Sequence, residues 1–152
     1  MDNRTEKYVK HFYLSQKITH PTQLSINKLL ETLPVKVNFW DFTSEAISRN
    51  EKYIIFLNIN TSIQKQWQDF GHELCHVLWH VGHQLQMPFP FRQLQEWQAN
   101  YFSYHFCVPT FMLEGLTELN IYKIMKLFNV EYGFAARRLE MYQNKFFAGE
   151  VL

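Results

Sequence analysis

The sequence predicts an α+β fold that is mostly helical, with a small, mainly antiparallel three-stranded sheet and a helix-turn-helix-like pair of helices at its C-terminal end. Three observations predict it. Apolar residues recur at helical spacing through residues 61–82 and again through 93–107. Between residues 35 and 57 the pattern has period two and is rich in β-branched and aromatic residues. Prolines and short polar clusters separate these segments.

A chain of 152 residues can bury one sizeable core and is short for two. It therefore reads as one domain, 1–152. Residues 1–34 form N-terminal helices, 35–60 the sheet, 61–109 a helix pair and 110–152 a helical tail. Hydrophobic residues make up 47% of the chain, which separates it from the disordered class. A net charge of +1 gives no long-range field for nucleic acid or anionic lipid. The two cysteines, Cys75 and Cys107, form no secreted disulfide pattern. The polar N-terminal stretch has no apolar signal core, and nothing approaches the ~20 apolar residues that span a bilayer. A cytoplasmic protein without membrane contact is the expectation.

Residues 4–18 predict an amphipathic helix carrying Tyr8, His11, Phe12 and Ile18. Pro21 ends it, because the residue before a proline is pushed out of helical geometry. Thr22 caps a second helix that runs to about Leu33, where Pro34 stops it. Val35–Trp40 alternates as a strand, and Tyr53–Leu57 is a β-rich run. Arg49-Asn50-Glu51-Lys52 reads as the hairpin turn leading into that run.

Thr61, with Gln64 three residues on, fits a capping box for the long helix. Ile63, Trp67, Phe70, Leu74, Leu78 and Val81 form its core-facing stripe, and Gly82 ends it. Met87-Pro88-Phe89-Pro90-Phe91 reads as a stiff connector. A helix from about Gln93 to Cys107 follows, with Glu96, Ala99, Asn100, Ser103 and Cys107 on one face. In the tail, a helix over 121–128 precedes another from Gly133 to about Lys145. Its basic residues allow DNA binding. The apolar residues Phe128, Val130, Phe134, Ala135, Leu139 and Met141 and the low net charge favour a packed pair that docks a partner or finishes the core.

The chemistry-bearing stretch is His72-Glu73-Leu74-Cys75-His76, an H-E-x-x-H pattern within the long helix. Four residues along a helix return to within about 40° of the same azimuth. His72 and His76 can thus reach one ion, and they point away from the apolar stripe. Glu73, about 100° around, stands where it can take a proton from an attacking water. A hydrolytic zinc site usually takes three protein ligands. Glu96, on the next helix, is the favoured third, and Asn100 shares its face to hydrogen-bond a histidine's other ring nitrogen. Asp69, His80 and His83 stay open as rival ligands. Cys75 reads as a small packing residue and His105 as structural or exposed.

Phe56-Leu57-Asn58, HELCHVLWH (72–80) and EWQANYFSYHFCVP (96–109) together resemble the ImmA/IrrE family of metallopeptidases. The second block matches at Glu96, Ala99, Asn100, Phe102 and Pro109. Ser103 stands where Ala is usual, Cys75 where Gly or another small residue is usual, and Asp69 where Thr is common. The likeness covers about residues 20–145. It implies a zincin-like fold, Zn2+ held by His72, His76 and Glu96, and Glu73 as general base. It also implies a protein substrate, a helix-turn-helix repressor of a phage or mobile element, whose cleavage lifts repression. A strand edge, such as that of 53–58, would align the substrate. Tyr101, Tyr104, Tyr132 and His83 are candidates for the oxyanion partner. The alternative reading is an antirepressor that binds the repressor without cutting it.

Overall fold

The structure, a computed structural model, describes residues 1–80 and 89–151. Two compact units divide the chain: Ile26–Ser103, and Met1–Ser25 with Tyr104–Leu152.

The first unit contains helix α2 (Ile26–Leu30), strands β1 (Val35–Trp40), β2 (Glu45–Arg49) and β3 (Lys52–Asn58), helix α3 (Ile63–Trp79) and most of α4 (Phe89–Cys107). The strands form one sheet in the order β1-β3-β2. β2 and β3 pair antiparallel, with Arg49 opposite Lys52. Asn50 and Glu51 both take positive φ (52° and 62°). A two-residue loop of that kind carries the right-handed strand twist directly into a hairpin, as the turn residues predicted.

The sheet is mixed and not mainly antiparallel. β1 pairs with β3 in parallel, from Val35 opposite Tyr53 to Trp40 opposite Asn58. The tight hairpin commits one edge of β3 to β2, so β1 takes the other. Two chain reversals separate β1 from β3, and they therefore run the same way. The alternation of β3 buries Ile55 and Leu57 completely. α3 packs on β2 and β3 through the predicted stripe: Trp67, Phe70 and Leu74 are buried. Ile63, in the first turn, is exposed, and Val81 lies outside the described residues.

Local hydrogen bonding moves several boundaries. The long helix is capped by Ser62, whose hydroxyl accepts from Lys65 N at 3.0 Å. Thr61 instead donates to the Asn58 carbonyl. α3 ends with His80 as its C-cap, so the expected stop at Gly82 falls outside the described residues. α4 begins at Phe89, which places Phe89-Pro90-Phe91 in its first turn; Pro90 needs no N–H donor there. The expected helix over 22–33 is shorter. The Gln23 side chain accepts from the backbone of Thr19 and His20, closing a 3-10 turn at Pro21–Gln23, and Leu24 is extended before α2 begins.

The second unit contains α1 (Arg4–Ser15), that 3-10 turn, the last residues of α4, α5 (Thr110–Leu113), α6 (Ile121–Phe128) and α7 (Tyr132–Val151). Asn3 and Asn120 cap α1 and α6, each side chain accepting a backbone N–H. α6 ends on Asn129 in the left-handed conformation and packs against α7. Buried Tyr13 donates to the Phe106 carbonyl at 2.7 Å and stacks on the Phe106 ring. Arg138 is almost completely buried. Its guanidinium donates to the Val108 carbonyl at 2.9 Å and to the Thr110 hydroxyl at 2.8 Å. Lys145 pairs with Asp2 and Glu6. Two of the tail's basic residues are thus committed to internal structure. Among the described residues no helix is long and apolar enough to cross a membrane.

Candidate metal centre

α3 sets His72 and His76 one turn apart on the side of the helix away from its buried stripe, as the spacing predicted. α4 brings Glu96 to meet them. The Glu96 carboxylate lies 2.9 Å from His72 Nε2 through one oxygen and 3.0 Å from His76 Nε2 through the other. The two Nε2 atoms are 3.3 Å apart. All three residues offer a ligand atom within 4.8 Å of the other two. Two bonds of about 2.0–2.1 Å at a tetrahedral angle hold their donor atoms roughly 3.3 Å apart. The observed spacings sit close to that value.

The opposite nitrogen of each histidine is also engaged. His72 Nδ1 lies 2.8 Å from the Asn100 carboxamide oxygen and donates to it. His76 Nδ1 lies 2.8 Å from His80 Nδ1, whose Nε2 is 2.9 Å from the Gln98 carboxamide oxygen. Two ring nitrogens and a carboxylate face one another, an arrangement that protons on the nitrogens or a cation satisfies. Two imidazoles and a carboxylate suit zinc, and the site fits that ion chemically.

Glu73 is 8% exposed, beside these groups. Burial pushes its carboxyl up to about 8; the charges of Glu96, Asp69 and Glu45 add to the rise and His72 opposes it. For His72, burial pulls the imidazole down, but the Glu96 hydrogen bond, the Glu73 and Glu96 charges and the Asn100 bond outweigh it, and the net shift is upward. Burial lowers His80, with His76 adding to the effect and Gln98 opposing it. A cation at the centre would draw Glu73 back to carboxylate.

One consequence concerns stability. In the metal-free fold Glu73 keeps its proton up to about pH 8, while in the unfolded chain it loses it near 4.5. The native state then holds the extra proton between those values, so its advantage is full below about pH 4.5 and is lost as pH rises through about 8. Metal-free wild type should lose on the order of 2 kcal/mol relative to Glu73→Gln between pH 6 and pH 8.5. Urea midpoints of the two proteins at both pH values measure it; parallel pH profiles would refute it.

Asp69, a rival ligand by sequence, is engaged outside the converging group. Asp69 accepts from the Ser44 hydroxyl at 3.1 Å and pairs with Lys65. Ser44 also accepts from Asn58 N, so Asp69 braces the start of β2 against α3. Cys75 is fully buried, and burial pushes its thiol up to about 12, with Glu96 adding. It is a packing residue, as expected. His83 lies outside the described residues. His105 is buried in the helical unit, and burial pushes it down to about 3, with Arg138 and Lys145 adding. Of the oxyanion candidates, Tyr101 stacks on Trp97, while Tyr104 and Tyr132 belong to the helical unit. A cleft of about 470 Å³ runs along α4 beside the centre, lined by Phe89, Arg92, Gln93, Glu96, Trp97 and Asn100.

Residues 30–140 match the Peptidase_M78 family, described as the IrrE N-terminal-like domain. The chain belongs to the ImmA/IrrE family of metallopeptidases. It is 44% identical over 146 residues to the phage-like element PBSX protein XkdA of Bacillus subtilis strain 168, covering 92% of this chain and 73% of XkdA. It is 34% identical over 149 residues to YqaB of the same strain, covering 95% and 87%. A Mycobacterium tuberculosis transcriptional regulator shares the fold, with a TM-score of 0.67 at 14% identity. That match covers 91% of this chain but only 47% of the regulator.

The sequence pattern gave no role to Gln98 and left His80 as a rival ligand. The Gln98 signal was its place on α4 two residues after Glu96, which periodicity alone could not connect to His80.

Proposed function

We propose that this protein is a zinc-dependent endopeptidase that cuts a helix-turn-helix repressor of a phage or mobile element and so relieves repression. The observation that carries the proposal is the meeting of His72 Nε2, His76 Nε2 and both Glu96 oxygens at 2.9–3.3 Å, with Glu73 alongside. His72, His76 and Glu96 would hold the ion, with Asn100 orienting His72. Bound zinc supplies Lewis-acid polarisation of the scissile carbonyl and acidifies the attacking water. The Glu73 carboxylate takes the proton from that water and passes it to the leaving amine as the peptide bond breaks. The buried position that keeps Glu73 away from bulk solvent also keeps the transferred proton local.

An extended substrate would align by adding to the sheet. β3, at 53–58, cannot receive it, because both its edges are paired. Among the described residues the unpaired edges belong to β1 and β2. β2 packs on α3, and the charge of Glu45 on β2 is felt at Glu73, so β2 is the edge beside the centre. The relationship to XkdA of a phage-like element supports a mobile-element substrate. The whole chain would act as one cytoplasmic domain, with the helical tail docking the repressor and not DNA.

The test is direct. Purified protein is incubated with the repressor encoded beside it, with zinc and with a chelator, and the fragments are read by mass spectrometry. Zinc-dependent cleavage at a single bond is expected. Tight binding without cleavage would replace this reading with that of a sequestering antirepressor.

A further inference from the structure

We propose that His80 and Gln98 are positioning residues that hold His76 in the one tautomer able to bind a metal, a role resting on the reading of His72, His76 and Glu96 as a metal centre. The geometry is a chain of three groups. The Gln98 carboxamide oxygen only accepts, so His80 Nε2 donates to it across 2.9 Å. A neutral imidazole has one donor and one acceptor, which leaves the His80 Nδ1 lone pair to accept from His76 Nδ1 across 2.8 Å. His76 Nε2 is then free of its proton and faces Glu96 and His72. Asn100 does the same for His72 in one step. The two metal-facing nitrogens are therefore set by two separate supports from α4.

The end of α3 makes the contact possible. His80 leaves the helix with an extended backbone (φ −115°, ψ 122°) while its N–H still bonds the His76 carbonyl at 3.1 Å. The ring folds back along His76, with centroids 4.9 Å apart. Both nitrogens of His80 are thereby occupied, so His80 supports the centre and does not join it. Such outer partners typically contribute about 10–100-fold to metal affinity.

The test reads the tautomer first and the metal second. Nitrogen NMR of histidine-labelled, metal-free protein at pH 8 should show His76 protonated on Nδ1. His80→Ala should introduce a population protonated on Nε2, leave His72 unchanged and weaken zinc about 10–100-fold in competition with a chelating dye. Gln98→Leu, which leaves the backbone cap of α3 untouched, should shift His76 in the same direction. Gln98→Glu, which keeps the acceptor, should retain both tautomer and affinity. A His76 already protonated on Nε2 in wild type, or still wholly on Nδ1 in both His80→Ala and Gln98→Leu, would overturn the proposal. If the tautomer responds as expected but wild type binds no zinc, the relay stands and the metal-centre reading falls.

Discussion

Glu73→Gln should give a protein that binds zinc and repressor but cleaves roughly 10²–10⁴-fold more slowly in single-turnover assays. Gln has the shape of Glu but cannot accept the proton of the attacking water. The substitution should not harm the fold. In the metal-free state Glu73 is itself held largely neutral near pH 7, because burial and three neighbouring carboxylates raise it to about 8. The neutral amide therefore resembles the protonated form of Glu73. Zinc affinity should stay within a few-fold of wild type, since Glu73 is not among the three converging groups. That combination separates a lost base from a lost metal. Cleavage at the wild-type rate would remove Glu73 from the mechanism.

The second large effect is on the metal. Glu96→Ala should weaken zinc by more than the ~10–100-fold typical of outer partners, because it removes the only carboxylate among the converging groups. It leaves His72 and His76 with Nε2 atoms 3.3 Å apart and no anion to offset a dication. Glu96 is about half exposed at its side chain, so its loss creates little cavity and the fold should survive. Asp69→Ala is the control: it breaks the brace to Ser44 and Lys65 but should leave zinc affinity unchanged. Competition with a chelating dye measures both. Equal zinc affinity in wild type and Glu96→Ala would show that the third ligand lies elsewhere.

The features legible in the sequence were those written locally. His72 and His76 on one helix face, the Trp67–Phe70–Leu74 stripe opposite them and the Asn50-Glu51 hairpin each follow from the period of one element or the chemistry of one turn. Glu96 could be chosen because it lies on the next helix, behind a proline-containing connector that can bring that helix back. Boundaries were less legible, because neighbouring polar groups compete for the same backbone. Ser62 took the cap expected of Thr61, and Gln23 closed a turn where a helix was expected. The partner of β1 was not legible at all. β1 and β3 are separated in sequence by a whole strand, and only the commitment of one β3 edge to β2 leaves the other for a parallel pairing.

What the order of residues settled, then, was which side chains share a face and which face is apolar, since helix and strand periods are properties of the backbone alone. Which faces meet was settled by packing. The approach of α4 to α3 aims both Glu96 oxygens at the two histidines, brings Asn100 to one and Gln98, through His80, to the other. Packing also adds Glu96 of α4 and Glu45 of β2 to the charge that Asp69 already places near Glu73 on α3. Distances of about 3 Å between residues two dozen positions apart depend on how two helices settle against their neighbours, and no local period carries that information.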